Sequence, residues 1–411
     1  MKEGDSGFVG VDMRNSPHLL EAGYASNAVN MRFRHGKAET REGYCALRWG
    51  ALSEPLSENT SAAIAANRPL KSLGECLGIG TFKDPNDTTH TIVAVKNKSM
   101  EKTNPSYWIK VYALREGTIP QEVPVSQDLY DGPIQFTQCN NALILHQGVS
   151  DPTNYPLLAM DDIVVGFRDL TDPGEGALAM PASATGVFIG NRLFIPVKND
   201  VTGKVDTVIA SDLLDYHQYS PLNEFTINQG EDDEIIALEP FDSNRILVFK
   251  RKNIYLLNNV VGDLSNVTVD RINGSYGLVA PMAVQTMGSD VWFLNETGIV
   301  SLQKTDFSSI QAITNPVSDP IEPLIKRINW QVAKNTAVTG YWNNKFYLSV
   351  PIDGAKSNSA IIIYDLSTRT WQGIDQVDHL NVSHFFIAET EGYNRLHYYS
   401  YNPTHYEVNN P

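Results

Sequence analysis

The sequence predicts an all-β fold: a six- or seven-bladed β-propeller of four-stranded antiparallel blades, preceded by an extended N-terminal arm. Three observations predict it. From about residue 70 onward, β-branched and aromatic residues alternate with polar ones over short runs, the period of strands. A hairpin of one form recurs at roughly 45–55-residue spacing, the scale of a propeller blade. No segment carries a long amphipathic helix. Ser61–Ala66 is a short alanine-rich piece, and in Asp319–Ile328 the prolines Pro320 and Pro323 limit any helix to a turn or two.

The recurring hairpin is an apolar run, a tight polar turn and a second aromatic or aliphatic run. A weak first copy spans Ile79–Val95 across the Asp84–Asp87 turn. Phe136–His146 turns at Asn140 and Asn141, Thr185–Val197 at Gly190 and Asn191, and Ile236–Phe249 at Asp242–Asn244. Val284–Leu294 turns at Gly288 and Ser289, Val338–Val350 at Asn343 and Asn344, and Phe386–Tyr398 at Glu391–Asn394. Asn and Gly belong in such turns because two-residue hairpin loops need positive φ, which these residues tolerate. Further strands follow each hairpin, for example Asn253–Asn258 and Val267–Ile272. The stretch Ile361–Trp371 has the form of a kelch-type blade ending, although the kelch glycine doublet is missing. The competing architecture is a pair of β-sandwiches.

Residues 1–60 differ, with short apolar pieces punctuated by Asn, Gly, Pro and Ser, and read as an arm with local hairpins; residues 61–411 form the propeller. Removing residues 1–50 is expected to leave a folded remainder unless the arm donates a closing strand to the last blade. Within the arm, Arg32-Phe-Arg-His-Gly-Lys37 is a basic stretch in an acidic chain. It is either a solvated turn or a grip on the acidic face of a neighbouring subunit, through Arg32, Arg34 and Lys37.

With 47 acidic against 32 basic side chains and a net charge of -15, the chain lacks the clustered cations that phosphate-backbone binding needs. No window approaches the ~18 apolar residues of a membrane span, and no basic-then-apolar leader opens the sequence. Cys45, Cys76 and Cys139 are odd in number and widely spaced, which suggests neither a disulfide framework nor zinc, and synthesis in a reducing cytoplasm fits.

Motifs for chemistry are weak. Glu231-Asp-Asp-Glu234, Asp84–Asp87 and Asp200–Asp206 lack the alternating oxygen spacing of a calcium loop and read as turns. Asp212 and Asp215 have the composition of a glycosidase pair without any sign of opposed geometry. His146, His217, His384 and His397 have no motif partner, and neither a nucleophile elbow nor a phosphate loop is present. A non-enzymatic protein without metal or cofactor is therefore expected. The aromatic end, including Tyr398, Tyr401 and Tyr406, suits an interface or, alternatively, host-surface carbohydrate.

Several segments in order resemble the β-propeller structural proteins of tailed bacteriophages, a group that includes the tail nozzle proteins of short-tailed phages. The resemblance rests on Gly10–Pro17 followed by Ala28–Tyr44, then Ala210–Asp215, Asn223–Asn228, Gly230–Ile236 and Asn244–Leu257. Gly277–Pro281, Asp290–Leu294 with Gly298, and Tyr341–Pro351 complete it. The nozzle proteins are larger, with insertions for a platform and tip that this chain has no room for. The resemblance implies a virion part in the tail or neck: a nozzle, a collar or a fibre-docking ring. Its implied partners are portal, adaptor, tail-tube or fibre proteins. It further implies a ring-forming homo-oligomer, with a hexamer favoured, through which DNA could pass without specific binding.

Overall fold

In the computed structural model, residues 7–41, 43–46, 74–98, 107–115, 120–148, 155–170, 178–228, 232–272, 276–288, 290–304, 310–312, 316–376, 381–390, 392–400 and 405–407 are described. They form a β-propeller of small antiparallel sheets, each of four strands. Six sheets are chain-local. The first holds Glu75–Lys83, Thr89–Lys98, Tyr107–Leu114 and Gln121–Val123; the second Ile134–Cys139, Ala142–Gln147, Leu158–Met160 and Arg168–Asp169. The third holds Val187–Ile189, Arg192–Lys198, Val205–Ala210 and Glu224–Thr226; the fourth Ile235–Asp242, Arg245–Lys250, Ile254–Asn258 and Thr268–Arg271. The fifth holds Val284–Met287, Asp290–Asn295, Gly298–Lys304 and Ile310–Ala312; the sixth Val338–Trp342, Lys345–Val350, Ala360–Asp365 and Thr370–Asp375. A seventh joins Val382–Thr390, Tyr393–Ser400 and His405–Glu407 to Cys45–Ala46, so the arm does donate a closing strand.

Each anticipated hairpin is the opening hairpin of one sheet. Turn residues hold the left-handed conformation at Asn140 (φ 48°), Asn191 (φ 61°) and Asn343 (φ 46°), whereas none of Asp242–Asn244 in the fourth hairpin takes a positive φ. Of the anticipated turns, Ser289 and Glu391 lie outside the described residues, as do Ser61–Ala66 and the boundary near residue 60. Asp319–Ile321 and Glu322–Ile325 are the short turns expected, and a seven-residue helix, Trp330–Thr336, follows them without having been anticipated.

The chain divides into two compact units. One comprises Ala46–Ser275 with Ala388–Asn394 and carries the first four sheets; here the reason for the fold is visible in strand alternation. In Ala142–Gln147, Leu143 and Leu145 join a core with Ile92, Val111 and Phe82 of the first sheet, while Ile144 joins Leu193 and Ile195 of the third. One residue along, the side chain changes faces. Phe194 repeats the pattern, packing with Ile246 and Val248 of the fourth sheet while its neighbours pack on the second. Middle strands are therefore buried on both faces, which is why they read as unbroken apolar runs and why paired sandwiches, each sheet with one wet face, do not fit. Burying each such Leu or Ile contributes about 1.5–3 kcal/mol.

Opening strands approach one another most closely, and glycine makes the room. A Cβ at Gly80 would lie 2.4 Å from Phe136 Cβ. Between the opening strands of the second and third sheets, Thr137 Oγ1 donates to Gly186 O at 2.9 Å.

The other unit comprises Met1–Cys45, Tyr276–Ile387 and Arg395–Pro411. The arm is thus grouped with the later sheets instead of standing apart. Its core unites Val338, Tyr347, Ile361 and Ile363 of the sixth sheet with Val382, Leu396 and Tyr398 of the seventh. Gly340 has the role that Gly80 has in the first unit, its absent Cβ leaving space for Phe385, 2.9 Å away. Trp292 of the fifth sheet stacks obliquely among Phe346, Tyr364 and Trp371 of the sixth.

Candidate interaction surfaces

The arm seals the outer edge of the sixth sheet. Ile374 N donates to Ala28 O (3.1 Å) and Asn30 N donates to Ile374 O (2.8 Å), so the strand edge finds backbone partners. Gly373 takes φ 92°, and a Cβ there would meet Ala28 O at 2.3 Å. Met31–Arg34 and Lys37–Thr40 form a hairpin whose Phe33 N donates to Gln372 Oε1 at 2.7 Å. At the centre, Arg32 grips Asp375 with two hydrogen bonds, Nη1 to Oδ1 at 2.8 Å and Nη2 to Oδ2 at 2.6 Å, and both residues are buried. Tyr44 donates its hydroxyl to the same carboxylate at 2.6 Å, and Arg41 lies 4.0 Å over the Tyr44 ring. Burial and the adjacent Asp375 charge hold the Tyr44 phenol well above its ordinary range. The strand Thr370–Asp375 is consequently buried along its whole length.

This placement corrects two residues expected at an interface. Arg32 is used inside the chain because a buried guanidinium requires a carboxylate, and Asp375 supplies one. Tyr398 is 2% exposed and packs edge-on against Tyr44 at 5.4 Å, so it belongs to the core. Arg34 and Lys37 are exposed at the hairpin tip and have no ion-pair partner among the described residues. Beside them Phe8, bridged to Gly36, is half exposed. Tyr401 lies outside the described residues; Tyr406 lies on the strand opposite Tyr398.

A second surface was not anticipated. Between the third and fourth strands of the third sheet, residues 211–223 make a corner on which Leu213, Leu214 and Leu222 are 56%, 66% and 88% exposed. Leu178 is half exposed beside them, its strand Leu178–Ala179 pairing with Gln218–Tyr219. The corner is pinned: Asp212 N donates to Gln218 O (2.9 Å), Leu214 N to Asn191 O (2.9 Å), and Ser211 Oγ accepts from Leu193 N (2.9 Å). Leu214 sits at φ 63°, a strained conformation for a bulky residue. The same segment carries carboxylates, Asp212 and Asp215 within the corner and the exposed Glu224 at its end. Burial, then the Asp161 charge, raises the Tyr216 phenol; burial and Glu224 raise that of Tyr219. The adjacent leucines in Ala210–Asp215 were the only sequence signal for this corner, and in a strand-rich chain they resemble core.

The two carboxylates of the candidate acid pair have separate hydrogen-bond partners. Asp215 Oδ1 accepts from its own neighbour His217, from N at 2.9 Å and opposite Nδ1 at 3.0 Å, while Asp212 Oδ1 faces Asn223 Nδ2 at 3.5 Å. Of the acidic run, Glu231 lies outside the described residues, and the other three carboxylates have separate partners. Asp232 pairs with Lys204, Asp233 accepts from Arg251 N and Lys252 N, and Glu234 is nearest Val205 N. Among the described residues no group of His, Cys, Asp and Glu is arranged to hold a metal ion. Asp84 caps its own turn through Asn86 N and Thr88 N, which lowers its pKa. His146 and His384 are buried, and desolvation lowers their pKa values to about 3 and about 4. No described helix is long and apolar enough to cross a membrane.

No family model and no curated protein matches this sequence. Among solved structures, the chain is similar to the extracellular domain of a hybrid two-component system of B. thetaiotaomicron, at 10% identity and a TM-score of 0.49. That likeness covers 88% of this chain but only 42% of the other, and nothing about this chain's activity follows from it.

Proposed function

We propose that the chain is a non-enzymatic structural component of a tailed-bacteriophage particle, a nozzle, collar or fibre-docking part of the tail or neck. The observation that carries the assembly reading is the third sheet's corner, where leucines are held out to solvent on a hydrogen-bonded frame. Apolar side chains kept in water by a rigid scaffold mark surfaces made for another protein. The phage assignment is supported by the ordered segments that resemble virion propellers. The acidic balance suits a part past which DNA moves, since like charges repel and no counterion release rewards contact. A carbohydrate site centred on Tyr398 is disfavoured by that ring's place in the core.

The test is to purify particles from a culture in which the chain carries a small epitope tag, and to image them with a gold-labelled antibody. Label at the tail or neck is expected. Particles that lack the chain while the lysate contains it would overturn the assignment.

A further inference from the structure

We propose that two surfaces of this chain are complementary, and that the basic hairpin tip of one copy docks on the leucine corner of a second copy. This deepens the assembly reading by naming the partner as another molecule of the same chain.

The knob comprises the exposed Arg34 and Lys37, on either side of the tip at His35 and Gly36, together with Phe8 at 51% exposure. The hairpin below it is immobilised by Arg32 and Asp375, so the tip is presented by a fixed base rather than by a loose arm. Preorganisation of this kind lowers the ordering cost of association. The seat comprises Leu178, Leu213, Leu214 and Leu222, with Asp212, Asp215 and Glu224 beside them. His217, whose Nδ1 lies 3.0 Å from Asp215, and the part-buried Arg192, which donates to Ser211 O, also lie at this corner. Each surface carries exposed apolar side chains, and the charged residues of the two segments are of opposite sign. A chain of net charge -15 repels its own copies, so a local basic knob facing a local acidic rim supplies the attraction and fixes which faces meet. Because knob and seat are different patches, the contact is heterologous: every copy keeps one free knob and one free seat, and growth continues unless a ring closes.

Sedimentation velocity on the full chain tests this with two variants, Arg34→Glu/Lys37→Glu in the knob and Leu214→Glu/Leu222→Glu in the seat. Wild type is expected to form species larger than a dimer in a concentration-dependent manner. Each variant alone should weaken association by at least tenfold in Kd, while near-wild-type melting shows that it remains folded. Leu222→Glu alone, at an 88% exposed position, serves should Leu214 be needed for the local backbone. Mixed in equal amounts, the two variants retain one intact knob and one intact seat, and should form a dimer that grows no further. A monomeric wild type, or a knob variant that still assembles by itself, would overturn the proposal. Either result would leave the particle assignment standing, just as absence of the chain from particles would leave this contact standing.

Discussion

The outer strands of the fourth and sixth sheets hold equivalent places in the chain's repeat and have opposite surroundings. Thr268–Arg271 is exposed at every residue, and its Asp270 accepts a surface hydrogen bond from Asn258 at 2.8 Å. Thr370–Asp375 is buried at every residue, and its terminal carboxylate holds two arginines and a tyrosine from the arm. A finished sheet edge carries polar side chains that water can solvate. An edge with Trp371, Ile374 and an acidic residue in line is a seat, and its composition specifies the arm that fills it.

The sharpest way to break this comparison is to remove residues 1–46. The seventh sheet then loses a strand and the sixth loses its cover, so the loss of stability should exceed the roughly 4–5 kcal/mol that single substitutions rarely pass. Urea denaturation and dye binding to the bared edge would report it. Asp375→Ala comes next, because it leaves buried Arg32 uncompensated; about 3–5 kcal/mol is expected in the same denaturation assay. Asp270→Ala, the matched change on the open edge, should stay within about 0.5 kcal/mol. Between these falls Gly80→Val, which forces a methyl-bearing carbon against Phe136 and should cost about 1–3 kcal/mol or more in melting experiments.

Acid offers a graded test. His146 and His384 are neutral in the fold, with pKa values lowered by burial, whereas in the unfolded chain each takes a proton near pH 6.5. The unfolded state therefore binds more protons below that pH. Stability should be full above about pH 6.5 and fall by roughly 1.4 kcal/mol per pH unit for each histidine, down to about pH 4 for His384 and about pH 3 for His146. Replacing His146 with Gln should make the decline shallower in denaturation curves taken across that window.

Much of the frame was legible because turns and strand alternation are local. Asn343 and Asn344 between two apolar runs can make little but a tight turn, and Leu143 to Leu145 read as a strand whichever sheet lies on either side. The sites were less legible because they depend on pairing across the chain. Nothing near Arg32 in sequence reveals that Asp375, hundreds of residues away, will neutralise it, so an internal clamp read as an external grip. Tyr398 misled for a related reason, since an aromatic on a terminal strand looks like surface until Tyr44 of the arm closes over it. The leucine corner failed in the reverse direction. Leu213 and Leu214 have core composition, and the long-range hydrogen bonds that hold their loop, Leu214 N to Asn191 O and Asp212 N to Gln218 O, are not written in the local sequence.

Hydrogen exchange measured residue by residue, on the full chain and on the chain without residues 1–46, tests the central claim most directly. The amide of Ile374, which donates to Ala28 O, should be protected in the first and exchange readily in the second, while those of residues 268–271 behave alike in both. Equal protection of the Ile374 amide with and without the arm would contradict the account.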